Sequence, residues 1–245
     1  MCGKRVYCII PLKSVVVLSF GVDQMNFSYA NELILREKNF EIAHGRPENT
    51  WYLFHNHVFG AAEVARAVAD LAGMDPNLAY FSALLHDIGK IREKHEKRFH
   101  GVLGYEMLKE ENADVARACL VHTFPFNRLD NFEHCRKMFF DRREDYELTA
   151  AFIRSHPLND YDLLVQMADG LANAYGLVTI EERAAEYAKR HGIDVPPGML
   201  ESMHELKDYF DRKIGLDVYT LFDKVAAKDI FITVPAGGGV FSSAG

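Results

Sequence analysis

The sequence predicts an all-α protein, and three observations support this fold class. Apolar side chains recur at three- and four-residue spacing through most of residues 25–228, as they do on the buried face of a helix. Helix-start signals precede several of these runs. Strand-like composition is confined to residues 14–20 and 230–234, near the ends. We therefore predict a helical domain over 25–228, an N-terminal extension at 1–24 and a C-terminal tail at 229–245, with short strands or disorder only at the termini.

The first predicted helices lie between residues 28 and 89. Ser28 is a candidate cap for a short helix, and Asn49 or Thr50 starts a longer one. On that longer helix one buried face is expected to carry His57, Ala61, Val64, Ala65 and Val68. Asp75-Pro76 then offers an N-cap followed by a proline at the first helical position. We expect Gly89 to close that helix in the left-handed conformation.

The remaining elements follow from similar signals. His100 opens a helix in which Gly101 and Gly104 permit close backbone approach, and Asp114 caps the helix that leads to His122. Asn159 or Asp160 caps a helix predicted over 161–175. Residues 179–182 form a capping box, Gly215 ends an amphipathic helix that follows Pro196-Pro197, and a short helix is expected at 218–222. The helices after residue 178 are interpreted as packing elements.

Composition limits the class of protein. At 245 residues and 49% hydrophobic content the chain can bury one substantial core. A net charge of −7 argues against binding a nucleic-acid duplex, which needs a basic surface. No CxxC pair occurs, so the cysteines indicate ordinary thiols in the reducing cytoplasm: Cys2, Cys8, Cys119 and Cys135.

The N-terminal segment has some features of a targeting signal, because Lys4-Arg5 precedes an apolar run. Pro11 and Lys13 interrupt that run, and no small-residue cleavage site is evident. A membrane span needs about 20 largely apolar residues, which this segment lacks. We expect neither a signal peptide nor a membrane partner.

A histidine and an aspartate stand together where one apolar helix ends, in Ala83-Leu-Leu-His86-Asp87-Ile-Gly-Lys90. Taken alone, such a pair is more often a hydrogen-bonded polar pair in a core. Four further residues change this interpretation, because each lies among small or apolar neighbours where an unpaired polar group is costly to bury: His57, His100, His122 and Asp169. A shared metal would satisfy all of them.

The order His57, His86-Asp87, Asp169, with Gly89-Lys90 completing an HDxGK motif, resembles the HD-domain superfamily of metal-dependent phosphohydrolases over residues 45–225. The resemblance implies an HD-type helical bundle with extra C-terminal helices. His100 and His122 resemble the two additional histidines of members that hold two metals, with Asp87 as the bridging carboxylate. His156, or less favourably His134, stays open as a replacement for either of them. The GYP motif of cyclic-dinucleotide hydrolases is absent from the sequence.

The ligand set predicts one or two divalent ions. Imidazoles and carboxylates without thiolate suit Fe or Mn best, with Co, Ni, Zn or Mg as alternatives. A phosphate group would then need cations nearby, and Lys90 is the leading candidate, followed by Arg92, Lys94 and Arg98. The ordinary interpretation of this charged run is a solvated helix face.

By resemblance, the predicted function is hydrolysis of a phosphoester or phosphoanhydride of a small, nucleotide-like molecule by metal-activated water. Asp87 and Lys90 are the expected catalytic residues. One alternative is a di-iron HD-type oxygenase acting on a polyol or phosphonate. Another is a nucleotide-binding HD protein without turnover. The oligomeric state is left open.

Overall fold

Helices make up nearly all the regular structure in the part of the chain that the structure describes, as the sequence predicts. The computed structural model describes residues 25–192, 194–195 and 198–232. Its α-helices are α1 (Phe27–Ala43), α2 (Tyr52–Leu71), α3 (Pro76–Leu85), α4 (Lys90–Glu96), α5 (His100–Leu108), α6 (Ala113–Val121), α7 (Phe132–Cys135), α8 (Arg143–Ser155), α9 (Asp160–Gly170), α10 (Ile180–His191), α11 (Met199–Ile214) and α12 (Phe222–Ala226). Three 3-10 turns occupy Glu48–Thr50, Pro125–Asn127 and Val218–Leu221. The only sheet within these ranges pairs β1 (Ala172–Asn173) with β2 (Gly176–Leu177) in antiparallel register.

The two strands predicted near the ends of the chain fall wholly or partly outside the described residues. The strand predicted at 14–20 lies outside the described residues, as do positions 233 and 234 of the second predicted strand. Residues 230–232 form no strand, but Ile232 bonds with both its backbone groups to the side chain of Asn56. Among the helices described here, none combines the length and apolarity needed to cross a membrane.

Helix α2 lies at the centre of the bundle and packs against α3, α9 and β1. The expected apolar face of α2 is fully buried, including Ala61, Val64 and Val68. A second apolar cluster joins α5, α6 and α8, with Phe99 and Phe139 at its centre. Burial of these faces, at roughly 25 cal/mol per Å² of apolar surface, is the main term that holds the helices together.

The helix starts follow local hydrogen bonding. Asp75 caps α3 by accepting the N–H groups of Asn77 and Leu78, and Thr179 and Glu182 form the predicted capping box of α10. The caps predicted at Ser28 and Asp114 are wrong, because an asparagine two residues earlier takes each position. No side chain caps α2, which continues from the Glu48–Thr50 turn rather than starting at Asn49 or Thr50.

Two further predictions, on Gly89 and on the end of α9, are also corrected. Gly89 has a right-handed conformation (φ −70°), so it does not close α3 as a left-handed residue. A glycine is required there because a side chain has no room: a Cβ would lie 2.1 Å from the carbonyl oxygen of His100. The last predicted turn of α9 is absent, since that helix ends at Gly170 and the chain enters β1.

Candidate metal centre

The six residues that the sequence singles out come from separate elements of the bundle. His57 lies in α2, His100 opens α5, and Asp169 lies in the last turn of α9. His86 and His122 are the C-cap residues of α3 and α6. Asp87 follows His86 in the turn between α3 and α4, where the chain has left the regular helix. That departure lets two adjacent side chains reach the same centre, which a continuous helix would prevent.

A first group of side-chain atoms surrounds the Nε2 atom of His57. This atom lies 3.3 Å from Nε2 of His86 and 3.2 Å from Oδ1 of Asp169. Oδ2 of Asp87 lies 3.7 Å from it. His86 Nε2 in turn lies 3.7 Å from Asp169 Oδ1 and 3.9 Å from Asp87 Oδ2. Four potential ligand atoms therefore face one another.

A second group adjoins the first through Asp87. The Nε2 atoms of His100 and His122 are 3.2 Å apart, and each lies 3.4 Å from Oδ1 of Asp87. The two carboxylate oxygens of Asp87 thus face different groups, as a bridging carboxylate does. The imidazoles are all buried, with His86 fully inaccessible.

Hydrogen bonds on the other side of each ring fix its tautomer. The Nδ1–H groups of three rings donate to backbone carbonyls: His57 to Ala172 at 2.9 Å, His86 to Ala83 at 2.6 Å, and His122 to Cys119 at 2.9 Å. His100 uses its Nδ1–H to bond Oε1 of Glu93 at 2.8 Å. Because these oxygens only accept, each neutral ring presents the Nε2 lone pair to the centre. With every ring neutral, four lone pairs and two carboxylates then converge, and none of these six side chains directs an N–H group at the centre.

This arrangement fits divalent ions. Ligand atoms held about 2.1 Å from one ion in tetrahedral or octahedral geometry lie about 3.0 to 3.4 Å from their neighbours. Most of the separations above are close to this range. Three overlapping sets have ligand atoms that all lie within 4.8 Å of one another: His57, His86 and Asp87; His86, His122 and Asp169; Asp87, His100 and His122. The residues can therefore hold metal, and the absence of thiolate ligands favours Fe, Mn, Co, Ni or Zn.

Electrostatics match this interpretation. Burial would raise the pKa of Asp87 and Asp169, but the facing imidazoles hold both pKa values well below the ordinary value. Burial would lower the pKa of His86, yet the two carboxylates raise it to about 9. Burial and the charge of Lys90 lower the pKa of His100 to about 4. A cation is thus favoured beside His86, and His100 is held neutral, as a metal ligand must be.

Three residues at the centre are missing from the sequence-based set. Glu93 orients His100 through its hydrogen bond to Nδ1. Burial would raise the pKa of Glu93, but the bond to His100 outweighs burial and lowers that pKa. The hydroxyl of Thr123 lies 3.1 Å from Nε2 of His122. Arg183 of α10 lies 3.8 Å from Oδ1 of Asp169. Glu93 is indistinguishable from its charged neighbours by sequence, and Arg183 belongs to a helix interpreted only as packing.

The predicted phosphate-binding residues have different surroundings. Lys90 is about half exposed, and its Nζ lies 3.4 Å from Nδ1 of His100. Lys94 is exposed. Arg92 and Arg98 are held by carboxylates, Arg92 by Glu37 and Arg98 by Asp145 together with Glu106. Only Lys90 of the four adjoins the imidazole and carboxylate cluster.

The other histidines considered as ligands lie elsewhere. His134 is exposed and pairs with Asp130, and His156 is exposed and stacks on Phe152. Gly170, next to Asp169, packs against Met203, because a Cβ at this position would lie 1.7 Å from Met203 Cε.

Comparison with known proteins adds a family assignment. Residues 54–174 match the family model described as HD domain. Ribonuclease Y of Clostridium novyi (strain NT) is 40% identical over 68 residues, which are 27% of this chain and 14% of that protein. Ribonuclease Y of Clostridium tetani (strain Massachusetts / E88) is 26% identical over 121 residues, 49% of this chain and 22% of the relative. The chain thus spans less than a quarter of the length of these two relatives. No solved structure matches it significantly.

Proposed function

Because its residues 54–174 form an HD domain, the chain belongs to the HD superfamily of metal-dependent phosphohydrolases, and from this premise we propose that it hydrolyses a phosphoester or phosphoanhydride of a small, nucleotide-like molecule. The observation that carries the proposal is the pair of ligand groups joined by Asp87. Divalent ions held about 3.5 to 4 Å apart supply Lewis acidity and lower the pKa of water, which suits attack on phosphorus. Similarity to proteins named Ribonuclease Y supports a phosphodiester among the substrates to test.

Each protein residue has a proposed task at this centre. His57, His86, Asp87 and Asp169 would hold one ion, and Asp87, His100 and His122 would hold a second. Glu93 and the backbone acceptors keep the Nε2 lone pairs directed inward. A hydrogen bond from the ring nitrogen opposite the metal fixes the orientation of the imidazole and makes it a more basic ligand.

Two cations flank the centre on opposite ligand groups. Lys90 adjoins His100, and Arg183 adjoins Asp169. We propose that Lys90 neutralises charge on the phosphoryl oxygens, because its half-exposed ammonium can move to meet a substrate. Arg183 is bonded to Glu186 at 2.8 Å, which restrains it near Asp169. It would position a second anionic group of the substrate.

The test uses metal-free protein loaded with Mn²⁺ or Fe²⁺ and assayed against nucleoside mono-, di- and triphosphates, cyclic mononucleotides, an aryl phosphodiester and short RNA. We expect release of phosphate or nucleotide from at least one compound. His86→Ala and Asp87→Ala should each lose it by about 1,000-fold or more, because each removes a ligand that the other atoms cannot replace. Full activity in both variants would refute the proposal.

Lys90→Ala tests the phosphate contact, with Lys94→Ala as the matched control on the same helix. We expect the Lys90 change to lower kcat/KM by about 10- to 100-fold, which is the loss of one charged hydrogen bond. The control change should leave it unaltered, since Lys94 is exposed and lies outside the cluster.

An oxidative reaction is a second candidate, because four imidazoles and two carboxylates around a shared bridge also suit a pair of irons. The two functions differ in their need for redox-active metal. Dioxygen uptake with a polyol or phosphonate, lost when manganese replaces iron, would favour the oxygenase. Phosphate release with either metal would favour the hydrolase. Saturable nucleotide binding without turnover under any metal would indicate a sensor.

A further inference from the structure

A cavity lies between α3, α6 and α9, outside the cluster of imidazoles and carboxylates. Its volume is about 180 Å³, slightly more than the roughly 150 Å³ of an engineered cavity that takes up benzene. Leu78 and Ala118 give it apolar walls, and Ser82 lies on its inner side. The cavity is thus large enough for a molecule of about six to nine non-hydrogen atoms.

Ser82 is the observation that sets this cavity apart. The residue is 1% exposed, and its hydroxyl is the one buried side-chain polar atom in the described ranges that lacks a hydrogen-bond partner. Leaving a buried hydroxyl without a hydrogen bond destabilises the folded protein. Such an atom on the wall of a cavity indicates a partner that is not part of the protein.

The lining is rich in hydrogen-bond donors. Arg117 binds Asp162 through Nε and Nη2, and its Nη2 also reaches the carbonyl of Pro157. Its Nη1 makes no hydrogen bond to any residue that the structure describes. The same holds for the side-chain nitrogen Nδ2 of Asn159. The hydroxyl of Tyr161 accepts from the backbone N–H of Asp75, which leaves its proton available.

Charge selects among ligands. Asp162 is fully used by Arg117 and by the α9 cap, so its charge is neutralised locally. Asp114 is exposed and adds one negative charge at the first turn of α6. Asp114 repels a dianion such as phosphate about twice as strongly as a monoanion. A monoanion can also accept from four donors of the lining, on Ser82, Arg117, Asn159 and Tyr161. Leu78, Asp114 and Tyr161 of the lining lie in the first turns of α3, α6 and α9, where the helix dipole is positive.

We propose that this cavity binds a small monocarboxylate with an apolar body, and that its occupancy is coupled to metal binding. The carboxylate lies between Ser82 and Arg117, and the apolar part packs on Leu78 and Ala118. Coupling follows from the helices themselves, since α3, α6 and α9 lead directly to His86, His122 and Asp169. Ser82 and Ala118 lie one turn before His86 and His122, so a ligand that contacts both and the start of α9 holds the three helices in the arrangement that binds metal.

The binding test uses the whole chain, free of metal, with butyrate and benzoate as probes and n-butanol and benzamide as uncharged partners of similar size. Calorimetry or ligand-observed NMR should show saturable binding of a carboxylate and at least about tenfold weaker binding of its uncharged partner, as expected for a charge-assisted hydrogen bond. Equal binding of both members of a pair, or no saturable binding of either acid, would overturn the proposal.

Ser82→Ala distinguishes loss of the ligand contact from a loss of protein stability. It keeps the cavity and removes a hydroxyl without a partner, so we expect a Tm equal to or above that of the unaltered protein. Affinity for the carboxylate should fall by about tenfold. Ser155→Ala is the matched control, because that hydroxyl bonds to the carbonyls of Ala151 and Phe152 on the surface. Unchanged affinity in Ser82→Ala would contradict the assignment.

Coupling is measured as the Mn²⁺ affinity of the whole chain with and without saturating benzoate. Because linkage between two sites is reciprocal, the acid should raise Mn²⁺ affinity by the factor by which Mn²⁺ raises affinity for the acid. In Ser82→Ala the benzoate concentration that gives half of this effect should rise by about tenfold, and any part that does not shift measures direct chelation of Mn²⁺ by benzoate. Identical Mn²⁺ affinities at saturating benzoate would contradict the coupling.

Discussion

A single hydrogen bond decides the chemistry of each imidazole at the centre. The backbone carbonyls of Ala172, Ala83 and Cys119, and the carboxylate of Glu93, each occupy an Nδ1–H group. The opposite nitrogen is therefore left as a lone pair, which is the form that binds a cation. Such contacts cannot be read from sequence, because three of the four acceptors are backbone atoms.

Glu93→Gln tests one of these contacts. An amide can still accept from His100 but lacks the charge that makes the ring a better ligand, so we expect affinity for one of two ions to fall by about 10- to 100-fold. The other ion, held by His57, His86 and Asp169, should bind as before. Calorimetric titration with Mn²⁺ would resolve the two. Glu96→Gln is the control, on the next turn of the same helix. Equal weakening of both ions would contradict the assignment of Glu93 to one group.

The titration of His86 and His100 predicts how stability depends on pH when no metal is bound. The pKa of His86 is about 9 in the folded protein, against an ordinary value of 6.5. Its protonation therefore stabilises the fold fully below pH 6.5, and this stabilisation is lost as the pH rises through 9. His100 has a folded pKa of about 4, so the unfolded chain takes up protons more readily and stability falls as the pH drops from 6.5 toward 4. Asp87 and Asp169, with lowered pKa values, lose their contributions at lower pH still.

We therefore expect the Tm of metal-free protein to be highest near pH 6.5 and to fall on both sides. Thermal unfolding followed by circular dichroism across pH 4 to 9.5 would measure this. Loading with metal should remove the fall above pH 6.5, because the cation replaces the proton on His86. His86→Gln should remove it as well. A metal-free Tm that stays constant from pH 6.5 to 9 would contradict the assigned environment of His86.

At the scale of elements, the junction between α3 and α5 determines whether the two ligand groups can meet. α3 stops at Leu85, the chain turns through residues 86–89, and α5 then returns with His100. Gly89 and Gly104 let the backbones touch, since a Cβ on Gly89 would lie 2.7 Å from the amide nitrogen of Gly104. The site therefore depends on small residues as well as on its ligands.

Gly89→Ala should lower the free energy of unfolding by about 1 to 3 kcal/mol, the usual cost of forcing extra atoms into a packed region. It should also weaken metal binding, because the shift falls on the turn that holds Asp87. Urea unfolding and Mn²⁺ titration would measure the two effects. Gly73→Ala is the control: its φ of 68° adds strain, but no atom lies within 4 Å of the new Cβ. Normal metal affinity in Gly89→Ala would contradict this role.

Much of this organisation was available from the sequence. The apolar spacing on α2, the Asp75-Pro76 start and the position of His86-Asp87 at the end of α3 all follow from local chemistry, and the structure brings the six candidate ligands together. The early end of α9 was not available, because residues 171–175 are still compatible with a helix by composition. Their turn is set by packing, with Ala172 directing its carbonyl to His57. Arg183 was missed for the same reason, since only tertiary contacts bring α10 to Asp169.

For the whole molecule, the bundle gathers ligands that are far apart in sequence around the central helix α2. Asn56, beside His57, bonds to the carbonyls of Ala174 and Ile232, so it ties the β1–β2 hairpin and the C-terminal segment to that helix. The chain carries a net charge of −7, so attraction of an anionic substrate must come from local cations such as Lys90. Divalent ions bound at the centre would add further positive charge there.

The most direct test of this account is an anomalous-scattering crystal structure of the protein loaded with Mn²⁺. We expect two peaks about 3.5 to 4 Å apart, one beside His57, His86 and Asp169 and one beside His100 and His122, with a different oxygen of Asp87 on each. No peak within the cluster, or a single ion that leaves the rings of His100 and His122 unbound, would contradict a centre built for two bridged cations.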